Sequence, residues 1–243
     1  MLHVEYVQSA RSVPEQSGDQ IRPILLAQTR PVLLVETRPV VKDNRRETRL
    51  WFFALTAGGA DSSSGPSKAP PTAGNPAIDR IEEAFRAAPM NEALGVTVDR
   101  VMYEEAQHTG PGSSGKDLVL CALCFDRAVV AHTGNACCYL IRHNHATRLT
   151  LGNVRLIDYQ IQPGDVLLLS ADSLQSVKGS EMAEIAGHRV DLTLAAEKLA
   201  QLARQRGESG SHFDIVMIRV LSVERSNRAQ NERGKNFTVR VRA

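Results

Sequence analysis

The stretch that decides the fold is Cys121–Ser173. It begins CALCFDRAVVAHTGNACCYLIRHNHATRLTLGN and ends DYQIQPGDVLLLSADS. Two apolar segments flank a break at Gly134, a polar turn follows at His143–His145, and a Pro163-Gly164-Asp165 turn starts the apolar run Val166–Ser170. Short apolar runs separated by glycine, asparagine and proline turns are typical of strands joined by hairpins. This stretch therefore predicts the core of an antiparallel β structure.

Bulk composition limits the classes of protein to which the chain can belong. It has 243 residues, 42% hydrophobic and 23% charged, with a net charge of +2. These values fit one globular domain, and the weak net charge does not indicate a nucleic-acid partner. We find no apolar run of about 18 residues and no signal-peptide pattern, which indicates no membrane association. Four cysteines in apolar contexts favour a reducing compartment, and the expected location is the cytoplasm.

The rest of the chain predicts an irregular N-terminal segment (1–20), a single domain (21–223) and a basic C-terminal tail or edge strand (224–243). Outside the opening stretch, apolar periodicity predicts further strands and helices. The predicted strands are Leu2–Val7, Leu50–Leu55, Asp117–Phe125, Ala128–His132, Cys137–His143, Thr147–Leu151, Val166–Ser170 and Phe213–Val223. The predicted helices are Ala77–Ala88, Ala93–Ala106, Ser180–Ala186 and Thr193–Gln205, the last with Asp191 as its N-cap. This order favours the α+β class, with two packed sheets and the helices outside them.

Four segments carry a resemblance to a known family. The sequence GNACCY at Gly134–Tyr139 is similar to a glycine-turn motif GDSRAY, and Pro163–Leu174 is similar to a segment reading PGD, an apolar strand and SDGL. Ala54–Ala60 faintly matches ADGMGGH, and Ser211-His212 stands where Asp-Asn opens the last strand. From about residue 50 to 220 the chain thus resembles the metal-dependent PPM-type (type 2C) Ser/Thr protein phosphatases. The resemblance implies a four-layer αββα sandwich of two mainly antiparallel sheets with helices outside.

The resemblance also implies a site that has lost most of its ligands. The family's chemistry uses Mn²⁺ or Mg²⁺ to activate a water molecule, and such hard cations need several oxygen ligands. By the resemblance, Leu55 and Thr56 replace the Asp-Gly pair of the first motif, and Ser211-His212 replaces the terminal Asp-Asn. Asp172 is the one expected metal ligand that remains. We therefore expect no cofactor, or Mn²⁺ or Mg²⁺ if the protein is active.

The other candidate residues follow from the same comparison. A rebuilt metal site would recruit Asp61 or Asp214, with Asp43 as a further choice. Asp214, however, lies three residues after Ser211, which stands where the family has its terminal aspartate. On a strand, an odd offset turns the side chain to the opposite face, so Asp214 should point away from the site. The phosphate-binding arginine is not identified, and Arg22 and Arg30 are candidates. The residues expected to line the old cleft are Leu55, Gly58, Gly59, Ser211 and His212.

Three cysteine and histidine patterns favour a structural reading. Cys121 and Cys124 should point to opposite faces of one strand, as should the adjacent Cys137 and Cys138, so both pairs predict core packing. The pattern His143-x-His145 could bind a transition metal, but with no third ligand nearby in sequence an exposed turn is favoured.

Three functions remain open from the sequence. The first is a catalytically impaired pseudophosphatase that binds a protein partner, such as a Ser/Thr kinase or a phosphoprotein, as a regulatory module in Ser/Thr phosphorylation signalling. The second is a divergent Mn²⁺- or Mg²⁺-dependent phosphatase with a rebuilt metal site. The third is a structural subunit of a larger assembly, with the basic tail as its arm.

Overall fold

A computed structural model describes residues 3–8, 33–42, 46–56, 76–89, 92–108, 117–150, 156–170, 174–187, 191–206 and 215–223. The described strands are β1 (His3–Gln8), β2 (Leu33–Lys42), β3 (Arg46–Thr56), β4 (Leu118–Cys124), β5 (Arg127–Thr133), β6 (Cys137–Arg142), β7 (His145–Arg148), β8 (Leu156–Gln160), β9 (Val166–Ser170) and β10 (Ile215–Ser222). The described helices are α1 (Pro76–Ala87), α2 (Leu94–His108), α3 (Gly179–Ile185) and α4 (Leu192–Gln205). None of these helices is long and apolar enough to span a membrane.

The strands form two antiparallel sheets that pack face to face. The first sheet has the order β1-β10-β9-β6-β7, and the second has the order β2-β3-β4-β5-β8. Each strand pair is antiparallel. Helices α1 and α2 contact the second sheet, whereas α3 and α4 contact the first. The predicted α+β sandwich with helices outside two antiparallel sheets is confirmed.

Three apolar layers hold these elements together. One lies between the sheets, one lies between the second sheet and α1–α2, and one lies between the first sheet and α3–α4. Because the inner strands are covered on both faces, every residue of β4 and β9 is buried. Cys121 and Cys138 belong to the inter-sheet layer. Their partners in the two sequence pairs lie on the outer faces, Cys124 in the α1–α2 layer and Cys137 in the α3–α4 layer. The predicted opposite orientations are confirmed.

The helix boundaries follow the predicted signals closely. Pro76 is the first residue of α1, and Asp191 caps α4 by accepting a 3.0 Å hydrogen bond from the Leu194 amide. The sequence pattern places Leu194, Leu199, Leu202 and Ala203 on one face of α4. Leu199 and Ala203 are buried as expected, but Leu194 is 46% exposed, so this prediction was partly wrong. The small residues Ala195 and Ala196 are buried instead. A helix face made of alanines can pack close to the sheet. Because alanine side chains are small, the pattern of large apolar residues does not reveal that this side of α4 faces the sheet.

The strand predictions are confirmed in part. Residues 3–8 form β1, close to the predicted strand Leu2–Val7, and pair with β10. Strand β3 begins at Arg46, four residues before the predicted start at Leu50, and Pro39 lies in the edge strand β2, where a missing amide donor is tolerated. Strand β8 was not predicted, since its residues are only partly buried and their pattern LIDYQ is weakly apolar.

The buried cysteines make the protein sensitive to alkaline pH. Burial raises the pKa of the Cys121 thiol from 9.0 to about 12, and burial, with smaller contributions from Cys121 and Cys137, raises that of Cys138. A raised pKa means that the unfolded chain ionises first, so stability is complete below pH 9 and falls as pH rises toward 12. Between pH 8 and pH 11 the free energy of unfolding falls in both proteins. We expect the fall to be about 2–3 kcal/mol smaller in Cys121→Ala than in wild type, because the variant lacks the Cys121 thiol. Denaturant unfolding at both pH values checks this, and equal losses would contradict it.

Candidate functional site

One edge of the sandwich collects the segments that the sequence comparison singled out. Strand β3 ends at Thr56, which pairs with Leu118, and Leu118 in turn pairs with Thr133 at the end of β5. In the other sheet Ser170, the last residue of β9, pairs with both Cys137 and Ile215. Three residues, 134–136, connect β5 of one sheet to β6 of the other. The ends of β3 and β9 and the start of β10 therefore lie at the same edge, here called the site edge.

Most of the predicted site residues fall outside the described part of the chain. These are Asp172, Asp61, Asp214, Gly58, Gly59, Ser211 and His212, together with Asp43, Arg22 and Arg30. Their proposed roles stay predictions. The segments that contain Asp61, Asp172 and Asp214 adjoin the strand ends Thr56, Ser170 and Ile215 at the site edge.

Leu55 is the predicted site residue that the structure describes. It is 0% exposed and belongs to the inter-sheet layer, where it pairs in register with Val119. Leu169 and Val216, which pair with each other across the first sheet, are also 0% exposed in this layer. The inner faces of β3, β9 and β10 are thus apolar at the site edge, whereas β5 carries His132 there, in register with Val119. An apolar layer of this kind disfavours a cation at the position of Leu55.

One carboxylate at this edge was not predicted from the sequence. Asp117 directly precedes β4, and its Oδ1 accepts a 2.7 Å hydrogen bond from the backbone amide of Asn135. Asn135 occupies the aspartate position of the glycine-turn motif. Two features of the sequence could have pointed to Asp117. It directly precedes a fully apolar strand, and the glycine-turn motif has asparagine where the family has aspartate. Asp117 fixes the turn that joins the two sheets.

The turn requires glycine at position 134. Its φ is +61°, and a Cβ atom there would lie 1.8 Å from Oδ1 of Asp117. We expect Gly134→Ala to lower the free energy of unfolding by about 2–4 kcal/mol, because the left-handed backbone becomes strained and the Asp117 hydrogen bond is displaced. Denaturant unfolding measures the change.

Two further variants test the cause of that loss. Gly187→Ala is the matched control, since its Cβ would meet the Ala183 carbonyl at an ordinary 3.5 Å with no left-handed φ. It should change stability by less than about 1 kcal/mol. Adding Asp117→Ala to Gly134→Ala should cost less than the sum of the two single changes, because the clash disappears. Strict additivity would rule out the contact as the cause.

The described residues at the site edge do not fit a pair of divalent cations. Asp117 is the carboxylate among them, and Leu55 and Ile215 are apolar. Within the described ranges, no group of three or more His, Cys, Asp or Glu side chains is arranged to hold a metal ion. Mn²⁺ and Mg²⁺ prefer several oxygen ligands at once. His143 and His145, the other metal candidates, are both exposed at the β6–β7 turn.

The aspartate of the Pro163-Gly164-Asp165 turn has a structural role at the opposite end of the sandwich. Asp165 is 1% exposed, and its carboxylate accepts hydrogen bonds from Nε and Nη2 of Arg142 at 2.8 and 2.6 Å. The amide of Gln162 donates a third bond at 2.8 Å. Hydrogen bonding to Asp165 raises the pKa of Arg142, whose guanidinium also lies over the Tyr159 ring. This ion pair lines a cavity of about 280 Å³ between the β6–β7 turn and the end of α3.

Comparison with solved structures identifies the fold. The catalytic domain of the serine/threonine protein phosphatase PstP, solved with two manganese ions, superposes with a TM-score of 0.55 over 91% of this chain and 100% of that chain, at 18% identity. The Mycobacterium tuberculosis phosphatase PstP/Ppp gives 0.54 over the same shares at 17% identity. This chain has the PPM phosphatase fold.

A third PPM-fold neighbour is more distant in sequence. The PP2C phosphatase domain of SpoIIE from Bacillus subtilis superposes with a TM-score of 0.56 over 90% of this chain and 63% of that chain, at 10% identity. No family model matches the sequence, and no curated protein matches it. The PPM fold of this chain is therefore evident from its three-dimensional structure. Its sequence identity to these structures is too low for a comparison of sequences to find a relative.

Proposed function

We propose that this chain is a pseudophosphatase, a PPM-fold module whose metal site is impaired and whose function is to bind a protein partner. The observation that supports the proposal is the apolar inner face of β3, β9 and β10 at the site edge. Leu55, fully buried, takes the place of the bridging aspartate by the sequence resemblance, and Leu169 and Val216 lie in the same layer. A fold does not fix a function, so the residues of this edge carry the argument.

The proposed role of the module is regulatory, in Ser/Thr phosphorylation signalling, with a Ser/Thr kinase or a phosphoprotein as its partner. The fold neighbours support this class of role. PppA of Pseudomonas aeruginosa, a key regulatory component of T6SS, shares the fold at 17% identity and a TM-score of 0.50. The core of the fold is well packed even though its site edge is apolar. The fold therefore keeps an outer surface that a protein partner of such phosphatases can recognise.

Phosphatase assays test the proposal directly. Wild type and Asp172→Ala should hydrolyse p-nitrophenyl phosphate and a phosphothreonine peptide equally slowly at millimolar Mn²⁺. Activity in the wild type that disappears in the variant would refute the pseudophosphatase proposal. Leu192→Val, a change in the buried face of α4 far from the chemistry, controls for loss of activity through instability.

The second candidate is a divergent metal-dependent phosphatase, and one observation favours it. Asp117 places a carboxylate at the site edge beside Asn135, where the sequence comparison found the motif's own aspartate missing. With Asp172 and either Asp61 or Asp214, it would supply oxygen ligands for Mn²⁺ or Mg²⁺. In that case Asp117→Asn should abolish Mn²⁺-dependent hydrolysis, whereas under the pseudophosphatase proposal it should leave the residual rate unchanged.

A further inference from the structure

A cavity of about 280 Å³ lies at the end of the sandwich opposite the site edge. Three short elements surround it, namely the β6–β7 turn, the turn 162–165 before β9, and the end of α3 at Ala186 and Gly187. All of its lining residues belong to the described ranges. The volume is close to the lower limit of the cavities in which proteins bind small molecules. A ligand of this cavity is therefore a small molecule.

Two of these elements are held in fixed positions. In the turn before β9, the Gly164 amide donates a 2.8 Å hydrogen bond to the Val220 carbonyl of β10. In the β6–β7 turn, φ is +48° at His143 and +59° at Asn144, which is the geometry of a tight type I′ hairpin turn. Because these walls are already ordered, a ligand that enters the cavity pays a small ordering cost.

The ion pair in the wall leaves unused hydrogen-bond donors on its cationic side. Asp165 is 1% exposed, and its two oxygens already accept three hydrogen bonds. The Arg142 side chain is 28% exposed and uses Nε and Nη2 to bind Asp165 and the Gln160 carbonyl. Among the described residues, no group accepts a hydrogen bond from its Nη1. A guanidinium that is fixed in this way and keeps N–H donors favours an acceptor such as a carboxylate.

The rest of the lining combines polar groups with an apolar floor. The imidazole of His143 is exposed and the amide of Gln162 is half-buried, and both side chains carry N–H donors. The floor consists of Ile141, Val166 and Ala186, which are all buried. This lining fits a molecule with an apolar body and one acceptor group.

The charge of the lining favours a ligand with a single negative charge. Asp165 neutralises Arg142, so the pair carries no net charge. A phosphate dianion would bring two negative charges close to Asp165, and no lysine or second arginine is among the described residues that line the cavity. A monocarboxylate avoids most of that repulsion.

We propose that this cavity binds a small monocarboxylate with an apolar body. The carboxylate accepts hydrogen bonds from Nη1 of Arg142 and from the Gln162 side chain, and the apolar body packs against Ile141 and Val166. The cavity is separate from the site edge, so the proposal is independent of whether this chain is a pseudophosphatase.

Amide NMR of the full chain, with benzoate as the probe, tests the proposal. Benzoate should shift the amides of Asn144, Gly164 and Gly187 together, with saturation and a Kd of about 1 mM or lower. Benzyl alcohol, which keeps the ring and lacks the carboxylate, and inorganic phosphate should each bind at least about tenfold more weakly. The absence of a saturable shift with benzoate would overturn the proposal, as would phosphate or benzyl alcohol binding as tightly as benzoate.

Variants locate the binding site. The double variant Arg142→Met with Asp165→Asn removes the guanidinium without leaving an unpaired charge, and it should weaken benzoate binding at least about tenfold. Gln162→Ala keeps the ion pair and should weaken binding about three- to tenfold. The matched control is Arg127→Ala, which removes an exposed arginine, paired with Asp158, that does not line the cavity. Benzoate affinity as in wild type for Gln162→Ala, or an equal loss for Arg127→Ala, would overturn the proposal.

Discussion

Replacing Leu55 with aspartate lowers the free energy of unfolding by about 4–5 kcal/mol at neutral pH, the largest loss we expect from a single change at the site edge. Leu55 is 0% exposed among apolar side chains, so the variant loses apolar contacts and buries a carboxyl group without a partner. Burial raises the pKa of that new carboxyl group. The stability of the variant should therefore be highest below pH 4 and fall as pH rises, and denaturant unfolding between pH 4 and pH 8 measures this.

Leu55→Asn is the matched control, since it removes the same apolar contacts without adding a charge. Its loss of stability should not depend on pH over that range. Adding millimolar Mn²⁺ should not restore stability to Leu55→Asp, because within the described ranges no group of three or more His, Cys, Asp or Glu side chains is arranged to hold a metal ion. A Mn²⁺-dependent gain in the stability of Leu55→Asp, absent in Leu55→Asn, would show that the other ligands of a metal site are present.

Replacing Arg142 with alanine lowers the free energy of unfolding by about 3–5 kcal/mol. The variant leaves Asp165, which is 1% exposed, without the two charge-assisted bonds that it accepts from Arg142. The Gln160 carbonyl loses its bond from Nη2 as well. Chemical unfolding at pH 7 measures the loss.

Arg127→Ala is again the control, because its pair with Asp158 is well exposed and should contribute no more than about 1 kcal/mol. In the double variant Arg142→Met with Asp165→Asn, no charge is left unpaired, and stability should recover part of the way toward wild type. If Arg142→Ala cost no more than Arg127→Ala, the ion pair could not be the contact that holds the turn before β9.

The sequence predicted the sandwich because its inner strands leave a strong pattern. Every residue of β4 and β9 is buried and all but Ser170 are apolar, and the glycine and proline turns around them mark where each strand ends. Strand β8 lacks that pattern because it is an edge strand with partly exposed residues. On α4, the burial of Ala195 and Ala196 was missed because alanines carry little hydrophobic signal.

The polar contacts could not be predicted in the same way. Asp165 was recognised as part of a turn, but its partner Arg142 lies 23 positions away and is brought close by the pairing of β6 with β9. Asp117 depends on the same kind of long-range approach, 18 positions from Asn135. Periodicity reports the face of an element that is buried, and it carries no information about which distant polar groups meet.

Low identity to the fold neighbours is consistent with these observations. Apolar cores tolerate extensive substitution if volume and pattern are kept, so a sandwich can persist at 10–18% identity. A metal site has no such tolerance, because each lost carboxylate removes a ligand. Leucine at the buried position 55 is compatible with the fold, and under our proposal it stands where the family has a metal ligand.

Manganese binding tests the central claim most directly. Titration of the wild-type protein with Mn²⁺, followed by electron paramagnetic resonance, distinguishes free from bound ions without requiring turnover. If the site edge is impaired as we propose, the signal of free Mn²⁺ should grow in proportion to the metal added up to millimolar concentration, with Asp172→Ala indistinguishable from wild type. Saturable binding of two ions that is lost in Asp172→Ala would contradict the proposal and establish a working metal centre.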